Sequence, residues 1–354
     1  MRSTGLEPVP SRTRPSNVRV CQFRHDRVLY ARNEMIIQGM KRVCQRSRRD
    51  CLFRLRCVIM VSLNIQNGPL PCNAQEGGAY MLEIPEAATI AMQCKKTIAG
   101  KTIQKAVAGM SPHGLAWYTG DPSSYSQMLE GRTIRSASYF GGRMELLADE
   151  LALSFNDGVN ARYLEKGEKR PDKHQLLLEF EDGDALYCTV QMYGGICCFP
   201  KGSDQGFYDT VSREKPSPLS DAFDEAYFSG MLTETTQKLS AKAFLATEQR
   251  IPGLGNGCLQ DILWNARVHP KRKMNTLADA ELETLFHSVK RLLAEMTEKG
   301  GRDTEKDLFG KPGGYMTVMS KKNAGGYCPH CGGVIKRMAY MGGNIYVCEG
   351  CQRG

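Results

Sequence analysis

Four cysteines near the end of the chain carry the plainest chemistry. Cys328, Cys331, Cys348 and Cys351 form the pattern C-x2-C-x16-C-x2-C. Two intervening residues let a tight knuckle aim both sulfurs at one ion, and two knuckles complete a tetrahedral thiolate set suited to zinc. Four thiolates leave no open coordination position, so the pattern predicts one structural zinc ion. Gly342-Gly343 lies midway, where a β-hairpin would turn, and His330 sits inside a knuckle as a bystander. Such a ribbon binds DNA, RNA or protein, or staples a tail, so the rest of the chain must choose. A second stretch, "GLGNG" at residues 253–257, reads as a turn. A dinucleotide loop is disfavoured, because no clear strand precedes it and no acidic residue follows at the required distance.

The elements that would position these groups change character along the chain. Residues 81–212 read as strand-rich with one early helix, "EAATIAMQCKKTIAG", ending at Gly100. Short apolar runs bounded by turn residues follow, and Asp182-Gly183-Asp184 separates two of them as a hairpin turn. This spacing predicts an antiparallel β-sandwich or barrel. From Pro216 the pattern turns helical. Leu282, Leu285, Phe286, Val289, Leu292, Leu293 and Met296 share one face of a long amphipathic helix that stops at Gly300-Gly301. The expected class is therefore α+β multidomain: a β-sandwich with a flanking helix over 81–212, an all-α domain over 213–310, and a loop with a zinc β-hairpin over 311–354.

Residues 1–80 stand apart. They hold 13 arginines, one lysine and five acidic residues, which gives the whole net charge of +9; the remaining chain has 33 basic and 33 acidic residues. Five cysteines scattered among Arg, Ser and Pro make a poor core. A basic arm for nucleic acid is one reading. The favoured one is that residues 1–80 are a disordered extension or a mis-assigned start, and that the working chain begins at Met81. No run is long enough to span a membrane, and the uneven spacing of the nine later cysteines fits a reducing cytoplasm.

Several segments together carry a resemblance. Met81-Leu82-Glu83-Ile84-Pro85-Glu86, "PSPLSDAFD" at 216–224, "IPGLGNGCLQDILWNARVHPKRK" at 251–273, and the cysteine hairpin closing on Cys351-Gln352 occur in this order. The chain from Met81 onward resembles the formamidopyrimidine-DNA glycosylase/endonuclease VIII family. That resemblance implies a helix-two-turn-helix domain, a zinc finger of the family type, and excision of damaged, oxidised bases by N-glycosidic cleavage in base excision repair. Its partner would be double-stranded DNA carrying damaged bases or abasic sites. No protein partner and no membrane are expected, and the setting would be the cytoplasm, at the nucleoid.

The same resemblance implies roles for residues. Glu83 matches the family's proton-donating Glu, and Met81, as the true N-terminus, would carry the terminal amine. The family's N-terminal proline is Leu82 here. Its lyase lysine corresponds to Arg143, a cation that cannot shuttle protons near neutrality but can clamp a phosphate. Its hairpin arginine corresponds to Gly343. These three departures weaken the expected lyase activity on abasic sites. Asn256 matches a phosphate-binding Asn in the turn before a helix, Lys271 and Arg272 would add phosphate contacts, and Met192 in "TVQMYGG" matches a wedge residue. The competing expectation is a damaged-DNA binder that kept the architecture and lost the chemistry. A zinc-ribbon protein-interaction module is remote.

Overall fold

The computed structural model of the protein describes residues 82–203 and 206–353. The expectations for residues 1–80 and for Met81 fall outside them. Helix α1 spans Ile84–Thr97, with Pro85 in its first turn, where a missing N–H costs nothing. It buries Ile84, Ala87, Ala88, Ile90, Ala91 and Cys94 and leaves Met92 exposed. Its apolar face is broad because α1 packs against both lobes.

The first lobe is a β-sandwich, the first of the two arrangements that the alternating runs allow. Its strands are β1 (Ile103–Ala108), β2 (Ala116–Tyr118), β3 (Ile134–Phe140), β4 (Arg143–Ala148), β5 (Leu151–Asn156), β6 (Val159–Leu164), β7 (Leu176–Phe180), β8 (Ala185–Val190) and β9 (Gly194–Pro200). A short helix, α2 (Tyr125–Leu129), follows β2. One sheet runs β1-β7-β8-β6 and the other β2-β9-β5-β4-β3. All pairings are antiparallel except β2 on β9, a departure from the expected all-antiparallel arrangement. The β7–β8 connection turns through Asp182-Gly183-Asp184, with Gly183 at a positive φ. Phe155, Phe180, Leu153, Leu178 and Ile196 fill the space between the sheets.

Helix α3 (Phe207–Glu214) leads to the second lobe, built from α4 (Glu225–Gly230), α5 (Ala241–Ala246), α6 (Asn256–Asn265) and α7 (Asp279–Glu298). Aromatic side chains Phe223, Phe228, Phe244 and Phe286 make a linked cluster at its centre. The expected face of α7 is buried from Leu285 to Met296, and only Leu282 lies at its edge. Strands β10 (Ile335–Tyr340) and β11 (Gly343–Cys348) form the closing hairpin, turning at Met341-Gly342.

The arm that starts α1 stitches the lobes together. Leu82 packs into the sandwich core, while Ile84 packs into the helical core.

Candidate functional site at the junction of the lobes

Three turns close around Leu82 and Glu83. The Leu82 amide donates to the Asp157 carbonyl in the β5–β6 turn at 2.8 Å, and the Ile84 amide donates to the Gly253 carbonyl at 3.0 Å. The β3–β4 turn comes close enough that a Cβ on Gly142 would lie 2.6 Å from the Leu82 carbonyl oxygen. Any side chain there would push the turns apart.

Glu83 is buried and caps nothing in its own helix; its carboxylate reaches across to the start of α6. Oε1 accepts from the Gly257 amide at 2.8 Å and meets Arg302 Nη1 at 3.5 Å. Oε2 accepts from the amides of Gly255 at 3.1 Å and Cys258 at 2.8 Å. Four donors therefore fill about four lone-pair positions. The glycines of "GLGNG" have a specific job here: a Cβ on Gly255 would lie 2.6 Å from the Glu83 carboxylate, and one on Gly257 would collide with Arg302. The anion at this helix N-terminus is supplied by the protein itself. Arg302 also forms a two-pronged pair with Glu86, at 2.9 Å from Nε and 2.9 Å from Nη2. Glu305 lines the same cluster, and burial pushes its carboxyl up to about 8.

Asn256, the first residue of α6, is exposed and donates to the Asn344 carbonyl of β11 at 3.0 Å. Gln260, one turn on, bridges the same strand through the Asn344 carbonyl and the Tyr346 amide, each at 3.1 Å. A Cβ on Gly343 would stand 3.8 Å from Asn256 Nδ2 and 3.7 Å from Lys242 Nζ, so the hairpin tip, Asn256 and Lys242 share one spot. Lys242 donates to the Tyr340 carbonyl at 2.8 Å, and burial lowers its ammonium to about 8. Lys271 is exposed, with its Nζ 5.4 Å from the Tyr340 ring centre. Arg272 does not join this group: it forms a two-pronged pair with Glu281 at 2.6 and 2.8 Å, at the start of α7. Arg143 pairs with the buried Asp209 of α3 at 2.8 Å, and Asp209 also holds Arg213. Met192 is exposed in the β8–β9 loop rather than in a strand, and this loop pairs with the β5–β6 turn through Gly158 N to Tyr193 O at 2.9 Å.

The four predicted cysteine sulfurs lie within 4.8 Å of one another. Cys328 and Cys351 are 3.7 Å apart, and Cys331 and Cys348 are 3.3 Å apart, close to the roughly 3.8 Å edge of a tetrahedral zinc–thiolate site. Gly333 and Gly350 pass so near the sulfurs that a Cβ would approach to 3.3 and 3.1 Å of Cys331 Sγ. The group can hold a metal ion. Gln352 anchors the hairpin, its side chain accepting from Cys348 N at 3.0 Å and donating to the Val268 carbonyl at 3.1 Å.

Sequence reasoning missed Lys242, Arg302, Gln260 and Asp157. Lys242 had a signal, a lone cation among Ala241, Ala243, Phe244 and Leu245 that needs a buried partner. Arg302 had none, since its partners lie more than two hundred residues away.

A β-sandwich and a helical lobe, joined by an N-proximal arm and closed by a four-cysteine hairpin, define a two-lobed protein of the helix-two-turn-helix class. Residues 215–307 match the formamidopyrimidine-DNA glycosylase H2TH domain. The formamidopyrimidine-DNA glycosylase of Bacillus subtilis is 28% identical over 280 residues, covering 77% of this chain and 99% of that protein. The one from Lactococcus lactis subsp. cremoris is 27% identical over 282 residues, covering 77% and 100%. The solved complex of Lactococcus lactis Fpg with DNA containing an abasic site has a TM-score of 0.65 at 21% identity, covering 77% of this chain and all of that one. The chain is similar to the formamidopyrimidine-DNA glycosylase/endonuclease VIII family, through this matching domain and through likeness to its glycosylases over 77% of its length.

Proposed function

We propose that this protein is a DNA N-glycosylase of base excision repair, which removes damaged bases from duplex DNA and leaves abasic sites. The observation that carries the reading is the docking of Glu83 onto the start of α6, beside Asn256. A carboxylate is thereby held at the meeting point of the two lobes, next to groups suited to phosphates. Similarity to glycosylases over 77% of the chain supports it.

In this reading Asn256, Lys242 and Lys271 hold the DNA backbone, and Met192 stands in the gap left by a base turned out of the stack. Glu83 offers a fixed negative charge where positive charge develops on the sugar. Excision runs by hydrolysis, because the Leu82 nitrogen is a peptide N–H bonded to Asp157 O and has no lone pair for attack. Met81 would contribute an amine only as a free N-terminus, and it lies outside the described residues. Arg143, committed to Asp209, and Gly343, with no side chain, leave strand cleavage weak. Cys328, Cys331, Cys348 and Cys351 hold one structural zinc ion, which keeps the hairpin against α6. None of the nine described cysteines is joined in a disulfide, in keeping with a cytoplasmic setting. No helix among the described residues is long and apolar enough to cross a membrane.

The test uses duplexes carrying an oxidised base or an abasic site, with and without borohydride. Base release without covalent trapping is the expected result. Tight binding with no release of any base would leave the damaged-DNA binder standing instead.

A further inference from the structure

The carboxylate that the family pattern singles out is saturated, and a second carboxylate at the same junction is not. Glu83 accepts from three backbone amides and meets Arg302. To take a proton from water it would have to give up one of these bonds. Asp157 lies at the β5–β6 turn, and its carbonyl receives the Leu82 amide, so its residue touches the arm. Its side chain makes no hydrogen bond or ion pair with any described residue. Its backbone is left-handed, φ 53°, a conformation that Asp and Asn tolerate better than most residues.

We propose, resting on the glycosylase reading above, that Asp157 is the catalytic general base of base excision, and that Glu83 takes no proton and supplies only its fixed charge. Asp157 takes a proton from a water whose oxygen bonds to C1′. The C1′–N bond breaks, its electron pair leaves with the base, and the base gains a proton from solvent. The products are free base and an abasic site, with no other reactant required.

The surroundings make Asp157 a stronger base than a carboxylate in water. Burial raises the Asp157 carboxyl, and Arg143 on β4 opposes that rise. Arg143 is itself held by Asp209 of α3 at 2.8 Å. Tyr193 of the β8–β9 loop and Cys197 of β9 face the same carboxyl. A base is most effective when its pKa approaches the working pH.

The experiment compares the protein with its Asp157→Asn and Asp157→Glu variants in single-turnover base release from a duplex carrying an oxidised base. Binding to a duplex with a stable abasic-site analogue is measured alongside. Asn keeps the turn's backbone and cannot accept the proton. Release should fall by about 10²–10⁴-fold in Asp157→Asn, with abasic-site binding retained, partial recovery in Asp157→Glu, and loss of the acid limb of the pH–rate profile. Asp157→Asn that releases base at the normal rate, or that loses binding in step with release, overturns the assignment. Unaltered protein that releases no base overturns the glycosylase reading and this one with it, so the two failures are distinguishable.

Discussion

At the scale of the residue, the site depends on where charges are already committed. Glu83→Gln replaces a full acceptor with an amide whose NH2 must face backbone N–H donors. Leaving a buried donor unsatisfied costs roughly 1–3 kcal/mol, so thermal unfolding should shift down as base release is lost, while duplex binding stays largely intact. A variant that unfolds normally and excises normally would contradict the docking geometry. Lys242 makes a different prediction. Its ammonium is lowered to about 8 by burial and stands at the hairpin tip beside Asn256. Each neutralised phosphate contributes about 0.9 to the slope of log affinity against log salt. Lys242→Met should lower that slope by about this amount at pH 7. Above pH 8 the difference from the unaltered protein should shrink as Lys242 loses its proton, which filter-binding titrations at several salt concentrations would reveal.

At the scale of the element, α1, α6 and the segment after α7 are tied by the buried cluster of Glu83, Glu86, Arg302 and Glu305. Burial raises the Glu305 carboxyl from the ordinary 4.5 to about 8. Between these values the folded protein keeps a proton that the unfolded chain has released. Stability therefore falls as pH rises across that window. Glu305→Gln should flatten this part of the stability–pH curve, measured by urea unfolding; an unchanged slope would show that Glu305 is not the group responsible. Asp261 acts in the same direction: burial raises its carboxyl even though the amides of Val318 and Met319 hold it down. Helix α7 was legible from its apolar period alone, and so was the β7–β8 turn. The parallel pairing of β2 with β9 was not, because three residues carry no signal for the direction of their partner.

At the scale of the whole molecule, the hairpin is closed by its four-cysteine cluster and held by Gln352 and by the bridge from Gln260 and Asn256 to β11. Removing zinc with a chelator should release the hairpin tip, separate Lys242 from Tyr340 and weaken duplex binding, with one zinc per chain recovered by a colorimetric assay. Full affinity after complete zinc removal would show that the hairpin is not part of the DNA surface. Substituting Gly142 by Ala should loosen the junction instead, since a Cβ would press on the Leu82 carbonyl without touching the hairpin.

The sequence by itself determined what is local: the cysteine knuckles, the amphipathic period of α7, and the order of short motifs that carries the family likeness. Each knuckle, helical face and motif is read from residues close together in the chain, where spacing sets geometry. Only the tertiary structure decided which charges are free. Arg272 and Glu281 are nine residues apart, but Arg143 and Asp209 meet across 66 residues of chain, and Glu83 and the Gly257 amide of α6 across 174. Such contacts leave no periodic trace, because they are set by how the lobes close on the arm. For the same reason nothing in the sequence marks Asp157, whose carbonyl meets the Leu82 amide only in the fold.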